Sequence, residues 1–353
     1  MPDEITNISS NTSAENAPDR FEVKNIGGVD CHAGLMANTD HASKPLPQQD
    51  RISVYALPGM TSRNFSGILE STFASMKDCY KGRPKGKGVC VTMTMFDPRS
   101  GKLAIGSKGD VGVYLVLESK KNPGEVLASR VSSPNEEYEI PGDRSLHPIN
   151  IQADTPVMYA KATDYTIDQP QSIEKPSRFS AIASGLTSTL VSRVPILDIR
   201  ELANGIIAKN GKRITDGDAW KDYKLSIITA SDGFIYGKEV PHMLVKDAVA
   251  QIPPDAPNKA EAMAKYVGVT RPLRSMDNLA VVMLNNIEIG KGEPVAVCVA
   301  DEHSRSKSAP AAAAYSAQKM IDIFEEKIEA AIANNAPSFE GKLDTRTGKH
   351  FNR

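Results

Sequence analysis

Apolar residues along this chain fall mostly into short runs and alternations, with few long helical stripes. Arg51 to Leu57 (RISVYAL) is a β-rich run that stops at the turn signal Pro58-Gly59. The next stretch repeats Phe65, Leu69, Phe73 and Met76 at helical spacing, which predicts an amphipathic helix. Gly88 to Met95 (GVCVTMTM) reads as a strand, Asp97-Pro98 with Ser100-Gly101 as a hairpin turn, and KLAIGSKGDVGVYLVLES as two further strands. Residues Val131 to Ser177 are Pro-rich, polar and weakly periodic, a pattern expected to meander across a sheet edge. Beyond them, Ile196 to Lys209 predicts a helix, and Leu225 to Ala230 (LSIITA) a buried strand closing on Ser231-Asp232-Gly233. Two helices are predicted near Pro241 to Ile252 and Asn258 to Val267, split by the breaker PPDAP. Asn278 to Leu284 and Val295 to Val299 are strand-like. Ala311 to Ala333 is a long helical pattern with Met320, Phe324, Ile328 and Ile332 on one face.

Strands outnumber helices and βαβ alternation is scarce, so the pattern predicts an α+β sandwich and not a doubly wound sheet. Four segments are expected: a disordered leader at 1–17, one domain at 18–300, a linker (SRSKSAP) with the C-terminal helix at 301–336, and a tail at 337–353. The C-terminal helix is expected to pack on the sandwich.

The 353 residues are 40% hydrophobic and 24% charged, ordinary for a soluble protein with a real core. A formal net charge of -1 gives no bias toward nucleic acid or an anionic membrane, so neither is an expected partner. The basic stretch Lys81, Arg83, Lys85 and Lys87 reads as a solvated loop. Cys31, Cys79, Cys90 and Cys298 are scattered without C-x-x-C spacing, which predicts neither a metal knuckle nor a disulfide framework. With no spanning apolar run and a polar, acidic N-terminus, the expected location is cytoplasmic. The six histidines show no metal spacing, and no P-loop, G-x-G-x-x-G or G-x-S-x-G motif occurs.

Acidic residues beside glycine or asparagine at strand ends carry the chemistry. Asp232 follows an apolar strand and precedes Gly233; Asp277 precedes Asn278 and a strand; Asp110 follows Gly109 between two strands. Carboxylates so placed suit a hard, oxygen-ligated cation such as Mg²⁺ or Mn²⁺. Each also has a plain reading as a turn or strand-start residue. In order, however, ITASDGF, SMDNLAVVML, GKLAIGSKGDVGVYLV, RISVYALPGM and MANTDHA resemble the five motifs of the metal-dependent protein phosphatases of the 2C type (PPM family), over about residues 30 to 287.

That resemblance implies a sandwich of two antiparallel sheets flanked by helices. It also implies two metal ions activating a water that attacks phosphoserine or phosphothreonine. Carried over by position, Asp232 and Asp277 would hold one metal, Gly59 would offer its carbonyl to the other, Asp40 matches the first-motif aspartate, and Asp110 would help hold an accessory ion. The bridging aspartate falls at Pro58, the first-motif glutamate at Thr39 and the phosphate-binding arginine near Leu35. Replacing Pro58 by Asp would then raise metal affinity. Another alignment sets VDCHAG on the bridging motif, with Asp30 as the bridge and Asp19 upstream. Two functions follow from the resemblance. One is a pseudophosphatase that holds one ion or none and acts by binding a protein partner. The alternative is an active phosphatase on phosphoproteins, with two Mg²⁺ or Mn²⁺ ions in a rearranged site.

Overall fold

The computed structural model describes residues 7–9, 19–37, 48–80, 88–108, 111–132, 157–158, 194, 196–210, 217–231, 241–270, 278–303 and 310–335. In chain order the strands are β1 (Asn7–Ser9), β2 (Arg20–Ile26), β3 (Val29–Met36), β4 (Arg51–Ala56), β5 (Gly88–Asp97), β6 (Lys102–Lys108), β7 (Gly112–Ser119), β8 (Val126–Arg130), β9 (Val157–Met158), β10 (Leu197–Asp198), β11 (Tyr223–Ala230), β12 (Leu279–Ile287) and β13 (Val295–His303). The helices are α1 (Phe65–Tyr80), α2 (Ile199–Lys209), α3 (Pro241–Gln251), α4 (Lys259–Thr270) and α5 (Pro310–Asn335).

Two antiparallel sheets form. One runs β1-β4-β13-β5-β6-β10, with β9 also paired to β6; the other runs β2-β3-β12-β11-β7-β8. Alternation along the strands supplies three apolar layers. Val295, Val297 and Val299 of β13 face Val113, Leu115, Ile227 and Val282 between the sheets. Ala296, Cys298 and Ala300, on the opposite face of β13, meet Phe65, Phe73, Met320 and Phe324 of α1 and α5. Ile228, Val281 and Met283 lie under Val245, Val249 and Met263 of α3 and α4. The result is the expected α+β sandwich, layered helix, sheet, sheet, helix. Ile199, Leu202, Ala203 and Ile206 of α2 join the central layer beside β7 and β8.

Three local differences from the sequence reading appear. Asn7–Ser9, expected within a disordered leader, pairs antiparallel with Tyr55, Val54 and Ser53, and Ile8 is buried in the central core. Its single large apolar side chain is too short a signal for periodicity to register. The hairpin β2–β3 was not anticipated as strands; it turns at Gly27-Gly28, with the Gly28 amide donating to Asn25 Oδ1 at 3.0 Å. The strand at Val295 extends to His303, past the expected domain boundary at residue 300 and up to the start of the SRSKSAP linker. The C-terminal helix packs on the first sheet, as expected, through Ala317, Met320, Ile321, Phe324 and Ile328.

Candidate cation site

Strand registers give the sandwich two distinct ends. At the first end lie the β2–β3 turn, the Pro58-Gly59 turn, the β5–β6 turn and the β12–β13 connection. They are knitted together: the Glu293 amide donates to Gly27 O at 2.5 Å, the Gly290 amide to Pro98 O at 2.9 Å, and Arg99 Nη2 to Met60 O at 2.5 Å. At the second end lie the C-termini of β3, β6, β11 and β13 with the N-termini of β4, β5, β7 and β12. There Met36 is opposite Leu279, Ala230 opposite both Val281 and Gly112, Val91 opposite both Lys108 and Ala300, and Arg51 opposite Ala300. The two sheets touch in register at this end. Thr92 Oγ1 donates to Val111 O at 2.9 Å, and Thr94 and Thr229 hydroxyls meet at 3.3 Å.

Asp40, Asp110, Asp232 and Asp277 lie outside the described residues. Their described neighbours all belong to the second end: Ala37 after β3, Val111 before β7, Ser231 after β11 and Asn278 before β12. Ser231 is locked to β12, its amide donating to Ala280 O at 2.9 Å while its hydroxyl accepts from the Ala280 amide at 2.9 Å. Asn278 is buried.

Pro58, Gly59 and Asp30 are at the first end. Leu57-Pro58-Gly59-Met60 is a tight turn closed by the Met60 amide on Leu57 O at 3.2 Å, with Gly59 at φ +71°. Proline at the second position and glycine at positive φ in the third are what a type II turn demands. Counting along the strands from the Thr94–Thr229 contact, Thr94 is level with Val297 and Val54. Gly59 then lies five positions toward the first end and Ser231 two toward the second. At 3.3 Å per residue the separation is about 23 Å. Pro58 and Gly59, matched to the bridging aspartate and to a carbonyl ligand of the other metal, therefore stand at the opposite end from Ser231, because β4 runs away from the end where β11 finishes.

Asp30, the alternative bridging residue, is at the first end, where it pairs with Asn285, six positions from Leu279 along β12. Asp19 is at the second end, accepting from the Ala37 amide at 3.0 Å, so the two alignment partners are split across the sheet. Asp30 instead belongs to a polar network that ties α4 to the second sheet. The Lys259 amide donates to His32 Nδ1 at 3.0 Å, which places the imidazole proton on Nε2, and that nitrogen donates to Asp30 Oδ2 at 3.0 Å. Asn285 Nδ2 donates to the same oxygen at 3.2 Å, and Lys259 Nζ to Asn285 Oδ1 at 3.2 Å.

Between the sheets, the interior changes character along its length. At the first end it is filled by Ile26, Val29, Phe96, Leu103, Leu117 and Ile287. Toward the second end it becomes polar, with Thr92, Ser107, Thr94, Thr229, Ser231 and Asn278 all buried. Two carboxylates missed by the sequence reading sit there. Asp301 continues the inward side of β13 after Val295, Val297 and Val299, opposite the core residue Cys90, and is 5% exposed. Asp50 falls on the inward side of β4 with Ile52 and Val54 and is 1% exposed. The signals were an aspartate at the end of the alternating run VAVCVAD and one immediately before RISVYA. Buried carboxylates beside hydroxyl and amide oxygens are the donor set a Mg²⁺ or Mn²⁺ ion takes. Among the described residues no three His, Cys, Asp or Glu side chains gather that could hold a metal ion.

No family model matches the chain. No curated protein matches it either. Among solved structures it is similar to the PP2C phosphatase domain, with a fragment of the regulatory domain, of the cell fate determinant SpoIIE from Bacillus subtilis, at 11% identity over 85% of this chain and 70% of that one, with a TM-score of 0.34.

Proposed function

We propose that this chain is a 2C-type phosphatase-like protein that holds Mg²⁺ or Mn²⁺ at the second end of its sandwich and hydrolyses phosphoserine or phosphothreonine esters. The observation carrying the reading is that Ala37, Val111, Ser231 and Asn278 stand at one end of the sheets. Each adjoins a segment bearing one of the four aspartates that resemble the family's metal ligands. The case for lost catalysis rested chiefly on Pro58, and Pro58 belongs to a turn at the other end. A bound divalent ion would activate water for attack on the phosphorus; the chain's carboxylates would hold that ion, and the sheet ends would fix their spacing.

The second reading, a pseudophosphatase acting through a protein partner, keeps one specific support. Leu35 occupies the place matched to the phosphate-binding arginine and is a buried core residue that cannot form a bidentate phosphate contact. The deciding experiment is hydrolysis of p-nitrophenyl phosphate and of a phosphothreonine peptide by the full chain with Mn²⁺. Turnover that disappears in Asp232→Ala and Asp277→Ala establishes the enzyme. Mn²⁺ binding without any turnover establishes the pseudophosphatase.

A further inference from the structure

β2 is an edge of the second sheet: among the described residues it pairs with β3 alone. The β2–β3 hairpin is tied at both of its ends. At the turn the Gly28 amide donates to Asn25 Oδ1 at 3.0 Å, and at the open end the Ala37 amide donates to Asp19 Oδ1 at 3.0 Å. Gly27 and Gly28 have φ of +60° and +83°, the positive values of a two-residue type I′ turn. The residues flanking such a turn, Ile26 and Val29, exchange both backbone hydrogen bonds, and bonded and non-bonded pairs alternate from there. Arg20, Glu22, Lys24 and Ile26 therefore bond to β3. The amides and carbonyls of Phe21, Val23 and Asn25 point out of the sheet edge.

An open row of amides and carbonyls accepts another strand, and the side chains along it select which one. Val23, in the middle of this row, is 41% exposed, and with Ile196 it is a large apolar side chain left in solvent among the described residues. Glu22 and Lys24 flank it and share the opposite face of the strand, set against Ala33 and Cys31. A two-fold axis at Val23 exchanges these two charges. It sets Val23 opposite the partner's Val23, Phe21 opposite the partner's Asn25, and Glu22 opposite the partner's Lys24. The residues with outward backbone groups then meet each other and hydrogen-bond in register. Glu22 and the partner's Lys24 fall at non-bonded positions, where facing side chains are closest and opposite charges attract. In the single chain Glu22 is held by Arg20 Nη2 at 3.1 Å and Lys24 Nζ at 2.6 Å. Exposed pairs of this kind contribute little, so turning them toward a partner costs little. A foreign strand would have to match this order of charges, whereas a second copy matches it by symmetry.

We propose that two copies of this chain join antiparallel through β2, about a two-fold axis at Val23, and merge their six-stranded sheets into one. The contact is one strand wide, so the association is weak and depends on concentration. It is independent of the cation-site reading, which needs no second copy.

The test is sedimentation velocity on the full chain from about 1 µM to about 500 µM, with circular dichroism melting to show that each variant is folded. Wild type is expected to pass from monomer to dimer across that range. Glu22→Lys and Lys24→Glu each turn both cross-axis pairs into like-charge pairs, and each should weaken dimerisation by more than about tenfold. An equimolar mixture of the two variants should dimerise within about threefold of wild type, because each chain carries the charge its partner lacks. Wild type that stays monomeric throughout overturns the proposal. A dimer that both variants retain overturns it too, since it must form through another surface. Variants that weaken the dimer but do not recover it on mixing overturn the axis at Val23, and the proposal with it.

Discussion

Asp198 shows how a single carboxylate is held by its neighbours. Burial alone would raise its pKa, but Arg200 and Lys102 outweigh it. Arg200 contributes its amide at 2.9 Å, Nε at 2.9 Å and Nη2 at 2.5 Å, and Lys102 Nζ lies at 3.0 Å. The carboxyl is therefore held well below the usual carboxylate range. It is also the N-cap of α2. A group whose pKa is depressed by folding contributes stability above its unfolded value, about 4, and loses that contribution as pH falls toward the folded value. Asp198→Asn keeps an oxygen for the cap and removes the ion pairs. It should cost about 1 kcal/mol at neutral pH in urea unfolding. The difference from wild type should shrink as pH drops below about 4.

At the scale of elements, strand direction and helix packing decide most of what matters. α5 covers the outer face of the first sheet with Phe324 fully buried and in edge contact with Tyr55, ring centroids 6.4 Å apart. Polar clamps fix its register: Ser53 Oγ donates to Glu325 at 2.9 Å and Tyr55 Oη to Glu329 at 3.2 Å. Burial and the nearby glutamates push the Tyr55 phenol up to about 12, so it stays a donor through the physiological range. Phe324→Ala should cost about 3–5 kcal/mol in urea unfolding, by lost transfer energy and a cavity under α5. Tyr55→Phe, which removes only the clamp, should cost about 1 kcal/mol.

For the whole molecule, the three apolar layers isolate reactive groups from solvent. Cys31 lies in the central layer and Cys298 under α5, and burial raises both thiols far above their ordinary values. Iodoacetamide at neutral pH should leave both unmodified in the native protein, and both should react together when urea unfolds the chain. Modification of either one in native buffer would show that its layer opens locally. Among the described residues no helix is long and apolar enough to cross a membrane.

The sequence by itself determined the class of fold and most elements, because alternation and 3.6-residue periodicity are local properties. RISVYAL, LSIITA and the Phe65–Met76 stripe could be read without knowing any partner. It also pointed to Asp110, Asp232 and Asp277, since each stands beside a strand that announces itself. Only the tertiary structure decided which ends of those strands lie together. A strand reads the same in either direction through a sheet, so Pro58-Gly59 and Ser231 could not be placed relative to each other until strand pairing and the contact between the sheets set them at opposite ends. For the same reason Asp301, far from Cys90 in the chain, drew no notice as a residue near the end of a late strand. Antiparallel pairing set it opposite Cys90, and no local pattern encodes so distant a contact.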